Sequence, residues 1–466
     1  MFLGIDRQKK NLMAALDDNG TSITYGELSC FSDEFNKAVP ERAIIFCLCE
    51  NSIGSLAGYT SCISNRVVPL LLGSSIDRGL LSQLMETYEP AYMWIPKRYH
   101  SEFNFPIILS KFEYILIKTE YKMYPINEKL SLLLTTSGST GSPKLVRHKY
   151  GNIESNAKNV SQLFGWTSEE RAVVDLPMQY TMGLNVINSH LYVGATVLLT
   201  NYNLMSNEFW SFIKEQKATN FTGVPFSFEV LLRLRFTKMD LPYLTTIAEG
   251  GGKLSEKMFK EIADYANRAN KRFFATFGTT ETSARLAYLP HEMALTKSCS
   301  IGKAIPEGEM FLLDSDGNEI IGNNVEGELG YRGPNVTMGY AKSKEDLLKG
   351  DEWQGEYHTG DIARRDEDGY YFIIGRKSRF LKLYGLRVSL DHCENLIKTN
   401  FNIDCACTGT DKRMEIYITD VSYKEEVQKY ISEKTGIYMN AFNVNIIDDI
   451  PRNTVNKVDY VSLLNS

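Results

Sequence analysis

Short apolar and β-branched runs alternate with helical patterns along this chain, and that alternation restricts the fold more than any single residue does. The runs "AIIFCLC" (43–49), "ATVLLT" (195–200), "NFTGVP" (220–225) and "RFFATFG" (272–278) read as strands. Between such runs, "GELSCFSDEFNKAV" (26–39) and "SEKMFKEIADYANRAN" (255–270) carry helical patterns. Strands alternating with helices predict α/β layers with much parallel sheet.

At 466 residues the chain exceeds what one hydrophobic core usually organises, so two or more units are expected. The texture changes near Gly375, where "GRKSRFLKLYGLRVSL" is basic and strand-like. The fold class expected is α/β: a large layered N-terminal domain, residues 1–375, and a small mobile α+β C-terminal domain, residues 376–466, with a hinge between them. "RRDEDGYY" (364–371) reads as a hairpin with Asp368 and Gly369 at its corner.

Charge and cysteine usage narrow the function classes. Fifty-one basic residues nearly balance 57 acidic ones, which leaves no basic field for nucleic acid. Cys47/Cys49 and Cys405/Cys407 each have i, i+2 spacing, which puts both thiols of a pair on one strand face. Structural zinc sites usually space their thiols more widely, so buried free thiols in a reducing, cytoplasmic setting are expected. No apolar run reaches the ~18 residues that would cross a bilayer, so membrane insertion is not expected, and "MFLGIDRQKKN" is charged too early for an export signal.

"LLLTTSGSTGSPKLVRHKY" (132–150) is the segment richest in chemistry. A strand ends and Thr135, Thr136, Ser137, Gly138, Ser139, Thr140 and Gly141 follow, exposing hydroxyls and backbone N–H groups. Such a loop suits a polyphosphate, with Lys144 supplying positive charge just past the turn. It is not a Walker A loop, because Pro143 precedes Lys144 and Leu145 follows it. Composition alone fits a flexible Ser/Gly surface loop equally well.

Set beside other segments, this loop resembles the phosphate loop of the adenylate-forming superfamily of acyl-CoA synthetases, peptide-synthetase adenylation domains and luciferases. "FATFGTTETSARL" (274–286) resembles that family's aromatic-Gly-x-Thr-Glu segment, and "GELGYRGPNVTMGY" (327–340) its strand before the hinge. "YHTGDIARRDEDGYYFIIGRKSRFLKLYGLRV" (357–388) is similar to its Thr-Gly-Asp segment and hinge, and "IPRNTVNKVDY" (450–460) to the segment holding its catalytic lysine. With looser matches upstream, the resemblance covers essentially the whole chain.

The resemblance implies activation of a carboxylic acid by ATP to an acyl-adenylate, with release of pyrophosphate, and then transfer to a thiol. On that reading Thr280 meets the α-phosphate, Glu281 is the Mg2+ ligand and Lys457 is the lysine that reaches the substrate carboxylate. Thr136, Ser137, Gly138, Ser139, Thr140, Gly141 and Lys144 hold phosphates. Phe277 and Gly278 lie at adenine, Gly251 and Gly252 let backbone approach it, and Asp361 and Arg376 grip the ribose. Tyr180 and Gly250 belong to the acyl side, Gly385 leaves room for a pantetheine arm, and Ser378 is the hinge residue, where the family commonly has Asp or Lys. Asn456 replaces the usual Gly before Lys457. Each residue also has a structural reading: Glu281 as a helix-capping acid after Thr279, Asp361/Arg376 as a surface ion pair, Tyr180 as a core residue. Arg285 would meet a hydroxyl or second carboxylate on the acid, or an acidic carrier surface, or be a paired structural arginine.

The implied cofactors are ATP and Mg2+, and the implied acceptor is CoA or the phosphopantetheine of an acyl carrier protein. Thr181, where amino-acid-activating members often place Asp, disfavours an α-amino acid. Transfer to an amine or hydroxyl, and a catalytically idle nucleotide-binding relative, are the alternative readings.

Overall fold

The computed structural model describes residues 1–135, 144–384, 386–453 and 457–464. The chain forms two compact units. One takes in the described residues within 1–310 and 331–357, the other those within 311–330 and 358–466.

The first unit carries two large sheets. One runs in the order Tyr340–Ala341, Leu145–Lys149, Leu130–Thr135, Val68–Gly73, Ile44–Cys49, Tyr92–Pro96, Tyr114–Lys118, Ile107–Lys111, with the four strands from Leu130–Thr135 to Tyr92–Pro96 mutually parallel. Its central strand shows why these apolar runs lack polar alternation. Ile45, Cys47 and Cys49 enter one core with Tyr59 and Trp94, while Ile44, Phe46 and Leu48 enter another with Leu70, Tyr88 and Met338. Both faces are covered, as in parallel layers generally.

The second sheet runs Lys303–Ala304, Ala287–Leu289, Arg272–Phe277, Thr246–Glu249, Asn220–Gly223, Arg171–Val174, Thr196–Leu199, Met13–Asp17, Ser22–Thr24. From Arg272–Phe277 to Met13–Asp17 it is parallel. Four neighbouring parallel strands therefore end on one edge, and from their carboxyl ends emerge the segments with Tyr180, Val224–Pro225, Gly250–Gly252 and Gly278–Glu281. Carboxyl edges of parallel strands are where open α/β sheets bind ligands. The helix Tyr25–Ala38 starts at a capping box made by Thr24 and Glu27, and Glu256–Arg268 starts at Ser255, whose hydroxyl accepts from Met258 N.

The second unit contains most of a four-stranded sheet, Glu309–Leu313, Val325–Arg332, Glu356–Arg365 and Tyr371–Arg376. The last two strands form the expected hairpin, with Gly369 at φ +78° and Asp366 and Tyr370 closing the turn. Beyond it come the paired strands Phe380–Leu383 and Leu386–Ser389, helix Leu390–Phe401, a three-stranded sheet (Cys405–Thr410, Arg413–Ile418, Phe442–Ile446), helix Lys424–Thr435 and the short helix Tyr460–Leu464. Cys405 and Cys407 are buried in this unit's own core, and all eight cysteines are free thiols. No helix among the described residues is long and apolar enough to cross a membrane.

Candidate functional site

The strand Arg272–Phe277 delivers the chain into a tight turn at Gly278. A Cβ there would stand 1.4 Å from the Ala284 carbonyl oxygen, so only glycine fits. Thr279 N–H donates to Thr282 Oγ1 at 3.3 Å, so Thr282, not Glu281, caps the one-turn helix Thr280–Thr282. Glu281 is thereby left for another partner: the Tyr340 hydroxyl donates to its Oε1 at 2.7 Å. Its backbone carbonyl accepts from Thr337 N–H at 3.0 Å.

Tyr340 is placed by pairing across the first sheet, opposite Val146. Lys144 lies just before the strand Leu145–Lys149, and its ammonium is 4.3 Å from the centre of the Tyr340 ring. One aromatic side chain thus carries a carboxylate on its hydroxyl and a cation on its face. Burial, with the Glu281 charge behind it, raises the Tyr340 phenol well above its ordinary range and keeps it a donor. Residues 136–141, the expected phosphate loop, lie outside the described residues.

On the neighbouring strand, Glu249 is followed by Gly250–Gly252. A Cβ on Gly250 would fall 2.4 Å from Met182 Cε and 2.7 Å from Thr276 Oγ1, and Gly251 has φ +79°. Phe277 is half-buried at the end of its strand, opposite Ala287. Tyr180 is half-buried and precedes the helix Thr181–Tyr192, which packs on Asn152–Phe164. Tyr180, Gly250, Phe277 and Glu281 therefore all lie at one edge of one sheet.

Behind that edge is a buried polar group. Arg285 is fully buried, stacked on Phe164 at 4.9 Å, with Nη2 3.8 Å from the Met182 sulfur. Its Nε and Nη1 have no hydrogen-bond partner among the described residues. No part of the guanidinium reaches solvent, and among the described residues no carboxylate forms an ion pair with it. Burial lowers Arg285 to about 9 and raises Glu249 to about 8, each opposed by the charge of the other. His190, stacked on Trp166 at 3.9 Å, donates from Nδ1 to the Val186 carbonyl and accepts at Nε2 from Asn220; burial lowers it to about 3.

Within the second unit, the hairpin register sets Asp361 opposite Arg376, and Arg376 Nε is 3.2 Å from Asp361 Oδ1. The pair is asymmetric: the Asp361 side chain is 5% exposed and that of Arg376 63%. Burial raises Asp361 above the ordinary carboxylate range, and Arg376 opposes the shift. Ser378 is exposed in the turn Lys377–Arg379. The next residue, Arg379, is held firmly: it bonds Asp391, reaches Glu394 at 2.5 Å and stacks on Tyr460 at 3.9 Å. Tyr460 in turn donates to Glu394 at 3.1 Å. Lys457, exposed, lies three residues before Tyr460 in an antiparallel return, where Asn453 N–H donates to its carbonyl at 2.8 Å and Arg452 pairs with Val458. Gly385 lies outside the described residues.

Tyr340, Glu249, Arg379, Glu394 and Tyr460 were not singled out by sequence reasoning. Tyr340 and Tyr460 close two of the quoted segments, "TMGY" and "NKVDY", and that terminal position was the available signal.

Comparison with known proteins places this arrangement. The family model for AMP-binding enzymes matches residues 6–341, and the chain belongs to that family. Among curated relatives, indoleacetate–CoA ligase of Aromatoleum aromaticum is 28% identical over 70% of this chain and 65% of its own length. Luciferin 4-monooxygenase of Luciola mingrelica is 27% identical over 71% of this chain and 62% of its own length. The match thus spans under two thirds of both of these relatives, whereas 2-succinylbenzoate–CoA ligase of Oceanobacillus iheyensis is 23% identical over 95% of this chain and 94% of its own. Among solved structures, o-succinylbenzoate CoA synthetase from Bacillus subtilis in complex with the acyl-adenylate intermediate OSB-AMP superposes with a TM-score of 0.82. It is 20% identical and covers 99% of this chain and 97% of that one. The mixed α/β architecture, with large sheets and a smaller C-terminal sheet region, is the adenylate-forming fold.

Proposed function

We propose that this protein activates a carboxylic acid with ATP and passes the acyl group to a pantetheine thiol, that of CoA or of an acyl carrier protein. A carboxylate oxygen attacks the α-phosphorus, the bond to the bridging oxygen of pyrophosphate breaks, and acyl-AMP forms. The thiol sulfur then attacks the acyl carbon, its proton leaves to solvent, and AMP departs. The observation that carries this reading is the Glu281–Tyr340–Lys144 cluster at the carboxyl edge of the parallel strands: an acid and a cation held about one ring, as a metal-bound polyphosphate requires.

The donor set fits Mg2+, which takes hard oxygen ligands and is commonly held by one or two carboxylates with phosphate oxygens and water. Glu281 would be its protein ligand, and the ion would neutralise charge on the phosphates. Tyr340 orients Glu281 by its hydrogen bond, and Lys144 adds positive charge toward the departing pyrophosphate. Thr280 would meet the α-phosphate. Phe277, Gly278, Gly251 and Gly252 would line adenine, with Tyr180 and Gly250 toward the acid. Asp361 would accept from ribose hydroxyls beside Arg376, and Lys457 would reach the reacting oxygens. Rotation at Ser378, between residues 1–375 and 376–466, would exchange Lys457 for the segment at Gly385 between the two half-reactions. The eight free thiols are compatible with a reducing, cytoplasmic setting.

The test is carboxylate-dependent exchange of labelled pyrophosphate into ATP with Mg2+, over short, hydroxylated, aromatic, fatty and dicarboxylic acids. Exchange with one class supports adenylation. ATP binding with silence across the panel would sink it in favour of an idle nucleotide-binding relative.

A further inference from the structure

Arg285 presents a problem that the packing around it does not solve. It is fully buried on the Phe164 ring, and among the described residues Nε and Nη1 have no hydrogen-bond partner while Nη2 lies against a thioether sulfur. Glu249 acts on it through space yet forms no ion pair with it, and Glu249 Oε2 itself has no hydrogen-bond partner among the described residues. A buried guanidinium with most of its N–H groups unbonded and no carboxylate in ion-pair contact is costly, and a ligand that meets those groups removes much of that cost.

The position says what that partner is. Arg285 lies four residues past Glu281 and against Met182, and Met182 Cε is the atom that a Cβ on Gly250 would strike. The guanidinium is therefore one side chain behind the edge where Tyr180 and Gly250 stand. Met182 is unbranched and moves aside at low cost. A fatty or plain aromatic tail entering there would leave the N–H groups unmet, and a hydroxyl would meet one and leave the charge. A carboxylate meets two and neutralises it.

We propose that Arg285 receives a second carboxylate on the substrate, so that the acid this protein takes is a dicarboxylic acid with its far end beside Met182 and Phe164. The inference rests on the adenylation reading only for what becomes of the near carboxylate.

Binding is the decisive measurement, because it does not require turnover. Malonate, succinate, glutarate and phthalate would be titrated calorimetrically into the full-length protein with Mg2+ and α,β-methylene-ATP, beside propionate, butyrate, valerate and benzoate. At least one dicarboxylate is expected to bind about 100-fold or more tightly than its monocarboxylate match, since a site built to bond a polar group rejects analogues lacking it by up to about 10⁴–10⁵. Arg285→Leu should abolish that preference without weakening nucleotide binding, and Arg285→Lys, which keeps charge but not the planar fork, should retain part of it. Equal binding of matched pairs, absence of dicarboxylate binding, or an unchanged preference in Arg285→Leu would each overturn the proposal. If Arg285→Leu does not fold, the wild-type comparison and Arg285→Lys decide. Pyrophosphate exchange on the same acids separates the two readings: exchange with monocarboxylates alone sinks the dicarboxylate assignment and leaves adenylation standing, whereas dicarboxylate binding without exchange does the reverse.

Discussion

The Tyr340 hydroxyl donates to Glu281 Oε1 at 2.7 Å while the Lys144 ammonium rests 4.3 Å from the centre of the same ring. Two substitutions separate these contacts. Tyr340→Phe keeps the ring under Lys144 and removes the hydrogen bond, so pyrophosphate exchange should fall roughly tenfold, with a higher Mg2+ concentration needed for half-maximal rate. Glu281→Gln removes the ligand charge and should cost about 10²–10³ in kcat, the range seen when one group stabilising transition-state charge is lost. Equal Mg2+ dependence in wild type and both variants would refute Glu281 as the ligand.

Arg379, one residue past the proposed hinge Ser378, is clamped by Glu394 and stacked on Tyr460. Glu394→Gln leaves that largely buried cation short of a partner, and breaking a buried pair in this way costs about 3–5 kcal/mol. The smaller unit should melt earlier in the variant, read by calorimetry. Tyr460→Phe is milder: it loses only the donation to Glu394, and because Tyr460 holds the chain three residues past Lys457, kcat for adenylation should drop while KM for ATP stays unchanged. A change in KM alone would argue against a positioning role.

Much of this was legible beforehand, for a physical reason. The strand Arg272–Phe277 and the helix Glu256–Arg268 announce themselves because periodicity and caps are local, and Glu281 stood out because its neighbours Thr279 and Thr280 are contiguous with it. Tyr340 was illegible because its meaning comes from pairing with Val146, 194 residues earlier in the chain by the numbering of the two partners. Arg285 was visible but ambiguous; its burial against Met182 and Phe164 comes from packing between segments distant in the chain. The clamp on Arg379 joins four segments of the smaller unit, each unremarkable alone.

Buried titratable groups set the pH dependence of stability. Burial lowers His148 to about 4 and His190 to about 3, against an ordinary value near 6.5. Both are neutral in the native state, so the unfolded chain binds more protons below pH 6.5. Their contribution is full above that pH and is lost as pH falls through 4, at up to about 1.4 kcal/mol per pH unit for each proton. Glu249, raised to about 8, works in the other direction: its contribution is complete below about 4.5 and is lost as pH rises through 8. The melting temperature should therefore peak between these limits, and Glu249→Gln should flatten the alkaline limb. An unchanged alkaline limb in that variant would mean that Glu249 is already ionised in the native state at neutral pH.

Lys457 provides the sharpest separation of binding from chemistry. Its backbone is fixed by the return of Arg452 against Val458, so truncating the exposed side chain should leave the smaller unit intact. An ammonium that acts on the oxygens exchanged between carboxylate and α-phosphate contributes to the transition state and little to nucleotide affinity. Lys457→Ala should bind ATP as the wild type does and lose adenylation by about 10² or more, the loss falling on kcat. Given the acyl-adenylate ready-made, the variant should still form thioester, since that half-reaction would follow rotation at Ser378 and no longer need the lysine. Loss of both half-reactions in equal measure would instead assign Lys457 to the integrity of the smaller unit.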